Sequence, residues 1–458
     1  MKVALIQPKI PDGNYLPSLG LLYIAALLEK NGFNVKIFDE NYNKDIVKEV
    51  LSFGASLVGI TSVTAAIKRS VRLASEIKKA CGAWTAIGGA HPTAMPEETA
   101  FFEGVDFVVY GEGEYTMLDL CKFVRDDEKK ASLNGIPNLC FKTSDGVQKT
   151  RRSPFLTGEE IDRLPYPAFH LLDIERVFGI SVHGLFSMGK RILPIMTARG
   201  CPEVCTFCCR TMGYSSRERS VEDVIEEIKF MKRTYSIDEL YIEDDNFCNN
   251  KTRAINILDE IIKARLGIYI KFANGLRADS VDEELLYKIK KAGGYWVGFG
   301  IESGSKKVLN LMNKNLNLEL SAKNVKIAKK VGFFVGSNMI VGYPGETIDD
   351  LNESMKYFQR LGLDSIAIVN LIPFPKTPVR GICEKNGYLT EAAKDYENYY
   401  FRVFNANILV ATPHLNEITA RRFIRLFFLR FYLRPDRLLR ILRMILKRYG
   451  SNLFSRDR

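Results

Sequence analysis

Apolar and polar positions along the first quarter of the chain follow two alternating rhythms. Short apolar runs stand at residues 3–7, 35–38, 57–60, 85–87 and 107–109. Between them, apolar residues recur every three or four positions over residues 19–30, 65–79 and 115–125. The first rhythm predicts buried strands and the second predicts amphipathic helices. Strands alternating with helices build a parallel sheet with helices on both faces. Ligands of such sheets bind beyond the carboxyl ends of the strands. Those ends carry "QPKIPDG", "GITSVT", "IGGAHPT" and "VVYGEGE". Glycines there admit a large flat or phosphorylated ligand, or simply make tight turns.

Residues 138–142 and 146–149 predict a hairpin turning at Asp145-Gly146. The Pro-containing linker "GEEIDRLPYPAFHLLD" follows, and then a second series begins. Its strands are predicted at 194–198, 240–243, 269–273, 296–301, 335–340 and 365–371. Its helices are predicted at 221–235, 253–264, 281–292, 322–330 and 348–361. Six strand–helix units are too few for a closed eight-fold barrel but enough for an open one. The expected fold is therefore α/β: an N-terminal doubly wound, Rossmann-like parallel sheet, then an open (β/α)6 partial TIM-type barrel, then a basic helical C-terminal segment. The expected boundaries are 1–130, 131–190 for hairpin and linker, 191–380 for the barrel, and 381–458.

Composition changes this picture little, with 46% hydrophobic and 26% charged residues as in ordinary globular proteins. "MKVALIQPKI" opens on a strand pattern, not a signal peptide, and no apolar run of about 18 residues occurs. The expected compartment is the cytoplasm, where clustered cysteines serve metals or catalysis more than disulfides. Charge changes it more. Of the net +11, residues 421–448 supply ten Arg/Lys against the single acid Asp436. "ARRFIRLFFLRFYLRPDRLLRILRMILKRYG" predicts two amphipathic basic helices broken around Pro435. They would cap the open barrel edge, or make peripheral membrane contact through 418–448. No nucleic-acid module accompanies them, so nucleic acid is not an expected partner.

The chemistry is concentrated in "RGCPEVCTFCCR", residues 199–210. Cys201, Cys205 and Cys208 form C-x3-C-x2-C just past the first strand of the second series. A structural zinc site wants four protein ligands, and Cys209 adjoins Cys208 too closely to be an easy fourth. A cubane on three cysteines leaves one iron open. Cys81, Cys121, Cys140 and Cys383 are scattered and read as packing thiols, as does Cys248 near the site.

"CPEVCTFC" resembles the signature of the radical S-adenosylmethionine (SAM) enzymes, with Phe207 as its aromatic. The resemblance implies a [4Fe–4S] cluster on Cys201, Cys205 and Cys208, with SAM chelating the open iron. "YIEDDNF" after the second strand then offers Asp244 and Asp245 to the methionyl amino group. "ANGLRAD" offers Arg277 to SAM's carboxylate, and "GFGIESGS" offers Glu302 to its ribose. "IVGYPGET" resembles the adenine-side motif through Gly342, Gly345 and Glu346. "LPSLGLLYIAALLEKNGFNVKIFD", "VGITSVT", "IGGAHPT" and "VVYGEGE" are similar to the cobalamin-binding subfamily. This implies cobalamin sandwiched between the sheet's strand ends and the barrel mouth, its corrin and nucleotide tail contacted by Leu19, Gly20, Thr61, Ser62, Thr64, Gly88, Gly89, Gly111 and Gly113. No D-x-H-x-x-G follows the second strand, which runs into "DENYNK", so no histidine is an obvious lower cobalt ligand. His91 is expected as a loop residue near the nucleotide tail.

The implied function is a cobalamin-dependent methyltransferase acting on an unactivated carbon through a 5′-deoxyadenosyl radical and methylcobalamin. The alternatives are a cyclase, ring-rearranging or dehydrogenating enzyme with the same cofactors, and a non-catalytic iron–sulfur or cobalamin sensor. The implied partners are a small-molecule or lipid-linked substrate and an electron donor such as flavodoxin or ferredoxin.

Overall fold

The computed structural model describes residues 1–10, 15–126, 132–180, 186–400, 407–435 and 437. The N-terminal strands are β1 (Lys2–Gln7), β2 (Asn34–Asp39), β3 (Leu57–Thr61), β4 (Trp84–Gly88) and β5 (Phe107–Val109). The hairpin supplies β6 (Leu139–Thr143) and β7 (Gly146–Lys149). All seven share one sheet in the order β2-β1-β3-β4-β5-β6-β7. The first five run parallel. The hairpin joins antiparallel beside β5, so it extends the sheet instead of standing apart as a linker. Helices on both faces bury the central strands, which is why Val3, Ala4, Leu5 and Ile6 are all apolar and all buried.

The second series contains β8 (Ile192–Ile195), β9 (Ala198–Arg199), β10 (Arg217–Glu218), β11 (Glu239–Ile242), β12 (Tyr269–Phe272), β13 (Trp296–Glu302), β14 (Phe334–Val341) and β15 (Ser365–Asn370). Six of these are the predicted strands. They form two parallel triplets, β12-β11-β8 and β13-β14-β15. Isolated bridges from Ile270 to Gly294 and from Leu276 to Phe299 join the triplets side by side. No pairing closes β8 onto β15 among the described residues, so the barrel is open. Its helices start where the sequence supplies a cap. The side chains of Ser220, Asn250, Asp282, Asn317 and Thr347 each accept a backbone N–H three residues on. Each such cap is worth about 1 kcal/mol.

Along β11, Leu240 and Ile242 face the helices, while Glu239 and Tyr241 face the barrel interior. Lys271 is also buried there, between the Tyr241 and Trp296 rings, and donates to the Phe186 carbonyl. One apolar core runs through both units, from Leu22 and Leu28 through Phe169 and Val177 to Leu193 and Ile228.

The C-terminal segment is less helical than expected between Asn386 and Asn416. Its described residues there form short turns and an antiparallel bridge between Leu389 and Val410. The basic helix Glu417–Tyr432 then packs on β15. Tyr432 donates to the Ile366 carbonyl and accepts from the Ile366 N–H, so one hydroxyl satisfies both peptide groups on the barrel's free edge. The expected second basic helix lies outside the described residues.

Candidate active site

The carboxyl ends of β1, β3, β4 and β5 open into a cleft holding about 980 Å³ of atom-free space, part of it open to solvent. Its floor is apolar, with Leu5, Ile60, Ala86 and Val109. Of the nine residues expected to contact a corrin, Leu19, Gly20, Thr61, Gly88, Gly89, Gly111 and Gly113 line it. Gly89 shows why the wall needs glycine. Its φ is +108°, and a Cβ there would stand 2.6 Å from the Ser62 carbonyl oxygen.

Ser62 and Thr64 do not line the cleft. Ser62 turns its hydroxyl to the Val63 carbonyl and accepts from Ser70, while its backbone bonds Gly88 and His91. Thr64 faces the ring of His91. His91 itself is not in a loop. It sits in the short helix Ala90–Ala94, fully buried, edge-on to Tyr396, and takes no part in lining the cleft. Burial lowers its pKa to about 4, so the ring is neutral.

Across the cleft stand Met196, Arg199, Thr211 and Met212, all from the mouth of the barrel. Arg199 and Thr211 bracket the cysteine run. The antiparallel pair β9–β10 forms the neck of this loop, and residues 200–216 inside it carry neither helix nor strand. Gly200 has φ +84°, and a Cβ there would lie 2.4 Å from the Ser215 carbonyl oxygen, so only glycine lets the loop begin. Thr206 fastens the middle by donating its N–H to the Met312 carbonyl at 2.9 Å and sharing a hydrogen bond with the Tyr343 hydroxyl.

The Cys205 and Cys208 thiols are neighbours, and their interaction, with Lys314 nearby, lowers Cys205 to about 7 and raises Cys208. Burial raises Cys201, whose neighbours include Cys205. Cys209 belongs to none of these interactions. Among the described residues no three such side chains close on a single ion. A cubane takes each cysteine on a different iron and does not require them to. Three neighbouring thiols beside an ammonium, in a loop with an open face, fit a cluster with one free iron.

The other candidates divide by what their side chains already hold. Asp245 gives one oxygen to the Gly200 N–H at 3.0 Å and remains exposed toward the cysteine loop. Asp244 is spent. It is buried and accepts from the Thr197 N–H, the Thr197 hydroxyl and the Ala198 N–H, stitching the end of β8 to β11. Arg277 is spent as well, on Glu203, Asp279 and the Asn315 carbonyl. It braces the cysteine loop through Glu203. Glu302 ends β13 at φ +69°, with its carboxylate 3.5 Å from Lys314. Lys314 in turn lies over the Phe207 ring.

Gly342 and Gly345 shape the loop after β14. Glu346 folds that loop by accepting the Gly342 N–H at 2.7 Å. Its other oxygen is buried without a partner, and burial raises the carboxyl to about 8. Cys248 is buried in the core. Two polar residues escaped the sequence reading. Lys314 sits in "MNKN", where no pattern marks it. Glu243 follows β11 and precedes the two aspartates; burial and Asp244 raise it to about 7.

The geometry defines an open barrel with three cysteines in the loop after its first strand, facing an apolar, glycine-walled cleft at the strand ends of a parallel sheet. Comparison with known proteins agrees. Residues 195–358 match the model of the radical SAM superfamily, and residues 10–120 match that of the B12 binding domain. The cytidylyl-2-hydroxyethylphosphonate methyltransferase of Streptomyces wedmorensis is 31% identical over 87% of this chain and 84% of its own. An uncharacterized methyltransferase of Pyrococcus horikoshii is 30% identical over 96% of this chain and 94% of its own. The radical SAM methyltransferase TsrM of Kitasatospora setae, solved with cobalamin and a [4Fe–4S] cluster, shares the fold at a TM-score of 0.70, with 19% identity over 85% of this chain and 76% of that one. The chain belongs to the cobalamin-binding radical SAM enzymes.

Proposed function

We infer that this protein is a cobalamin-dependent radical SAM methyltransferase acting on a small molecule. One observation carries the reading: the roof of the glycine-walled cleft is made by residues that bracket the three cysteines. Two cofactors held in these places share one reaction space. Bound there, they supply reductive cleavage of SAM and carriage of a methyl group.

The chain's own residues bind, orient and exclude water. Cys201, Cys205 and Cys208 would hold the cluster. Asp245, with one oxygen uncommitted, would take SAM's ammonium, and Lys314 beside Glu302 would take its carboxylate in place of Arg277. The apolar floor and glycine loops would seat the corrin face. Asp244, Arg277 and Glu346 set the loops and touch no ligand in this account.

The unit boundaries follow the same reading, with cobalamin on residues 1–130 and the cluster within 191–380. A small electron-donor protein and a cytoplasmic setting belong to it too. No helix among the described residues is long and apolar enough to cross a membrane. On Glu417–Tyr432, Ile418, Leu426 and Leu429 are exposed beside Arg422 and Arg425, which supports peripheral contact with an anionic surface.

The test separates methyl transfer from the cyclase reading, whose reaction leaves SAM's methyl group unused. Reconstituted protein, reduced anaerobically with SAM, is expected to yield both S-adenosylhomocysteine and 5′-deoxyadenosine. Cys208→Ala should lose 5′-deoxyadenosine and Cys209→Ala should keep it. Production of 5′-deoxyadenosine with no S-adenosylhomocysteine contradicts the methyltransferase reading.

A further inference from the structure

Glu112 belongs to the "YGEGE" loop after β5 and lines the cleft. Its carboxylate is also the hub of a buried ion cluster. One oxygen accepts from Arg199 Nη1 at 2.9 Å and from Arg217 Nη1 at 2.7 Å. The other accepts the Leu156 N–H at 2.7 Å. The Glu112 side chain is 8% exposed, Arg199 4% and Arg217 9%, so solvent does little to weaken these pairs. Arg199 is fixed again by Glu114 at 2.8 Å and by the face of Tyr23. Arg217 also bonds the Met212 carbonyl and lies over Phe155.

The placement matters more than the strength. Arg199 lies on β9, two residues before Cys201. Arg217 lies on β10, where the same loop returns. One carboxylate from the cleft wall therefore grips both sides of the neck of the cysteine loop. Inside that neck the chain has no regular structure of its own. Its order depends on ties from outside: the neck, Thr206 on Met312, and Glu203 on Arg277.

We propose that Glu112 is a positioning residue that couples the two cofactor sites: a cluster in the cysteine loop tightens cobalamin binding in the cleft, through Glu112 and its two arginines. The physical basis is shared ordering. A ligand that fixes one end of a common hydrogen-bonded hub reduces the ordering cost at the other end. Thermodynamic linkage makes the effect reciprocal, so cobalamin should equally slow loss of the cluster.

This proposal rests on the functional reading above, and its test keeps the two apart. Hydroxocobalamin is titrated into cluster-free and cluster-loaded protein, and free cobalamin is measured after ultrafiltration. Wild type is expected to bind at least about fivefold more tightly when loaded, the lower end of ordinary coupling. Glu112→Gln keeps the shape but loses the charge that holds two guanidiniums, and its ratio should fall below about twofold. Because Glu112 itself lines the cleft, Arg217→Met is the second variant. Arg217 is outside the cleft lining, and its loss should shrink the ratio. An equal Kd in both states of the wild type, or a full ratio retained by Arg217→Met, overturns the coupling. A wild type that binds no cobalamin in either state contradicts the functional reading instead.

Discussion

Glu346 shows how a residue can keep its place in a motif and change its task. It sits in "GYPGET", as the family pattern suggests, but its carboxyl binds its own loop at Gly342 and is held at about 8 by burial. Below that pH the folded protein keeps a proton that the unfolded chain sheds near pH 4.5. The unfolded state therefore binds fewer protons between about 4.5 and 8, and stability falls as pH rises through that window. Glu346→Gln removes the titration. Its unfolding midpoint relative to wild type should rise from pH 6 to pH 8, and a flat difference across that range would show that Glu346 is ionised in the fold. Asp244 and Arg277 teach the same lesson. A sequence places a carboxylate or a guanidinium at a strand end, but not which neighbour it meets. Thr197 and Ala198 already occupy Asp244, and Glu203 and Asp279 already occupy Arg277. Lys314, which pairs with Glu302 and lies over Phe207, had no motif to reveal it.

At the scale of elements, all six barrel strands and all five N-terminal parallel strands were legible, because buried strands and capped amphipathic helices leave periodic patterns. Three features were not. The two-residue strands β9 and β10 are too short to carry a period, although they form the neck of the cysteine loop. The hairpin was visible as a hairpin, but its docking beside β5 depends on a long-range pairing. The basic C-terminal helix was predicted, whereas its fastening was not, since a single Tyr432 hydroxyl does the work at the β15 edge. Tyr432→Phe leaves the Ile366 N–H and carbonyl without that partner. The expected cost is about 1–3 kcal/mol, read as a lower thermal midpoint. Faster amide exchange confined to β15 and the helix would locate it there, and an unchanged midpoint would mean that the edge is satisfied without the tyrosine.

For the whole molecule, the decisive feature is that one apolar core and one buried ion cluster join the sheet to the barrel. The glycine loops and the cysteine loop thus face each other across a single cleft. The family resemblance implied that the two halves face each other, and the fold sets their loops opposite one another. In a methyltransferase built this way, a methyl group leaves SAM and reaches a corrinoid bound in that cleft. The direct measurement uses anaerobic protein loaded with cluster and cobalamin, reduced, and given SAM with a deuterated methyl group. Cobalamin extracted and read by mass spectrometry should carry the deuterated methyl in step with S-adenosylhomocysteine. Cobalamin that binds but stays unlabelled under these conditions would contradict the account.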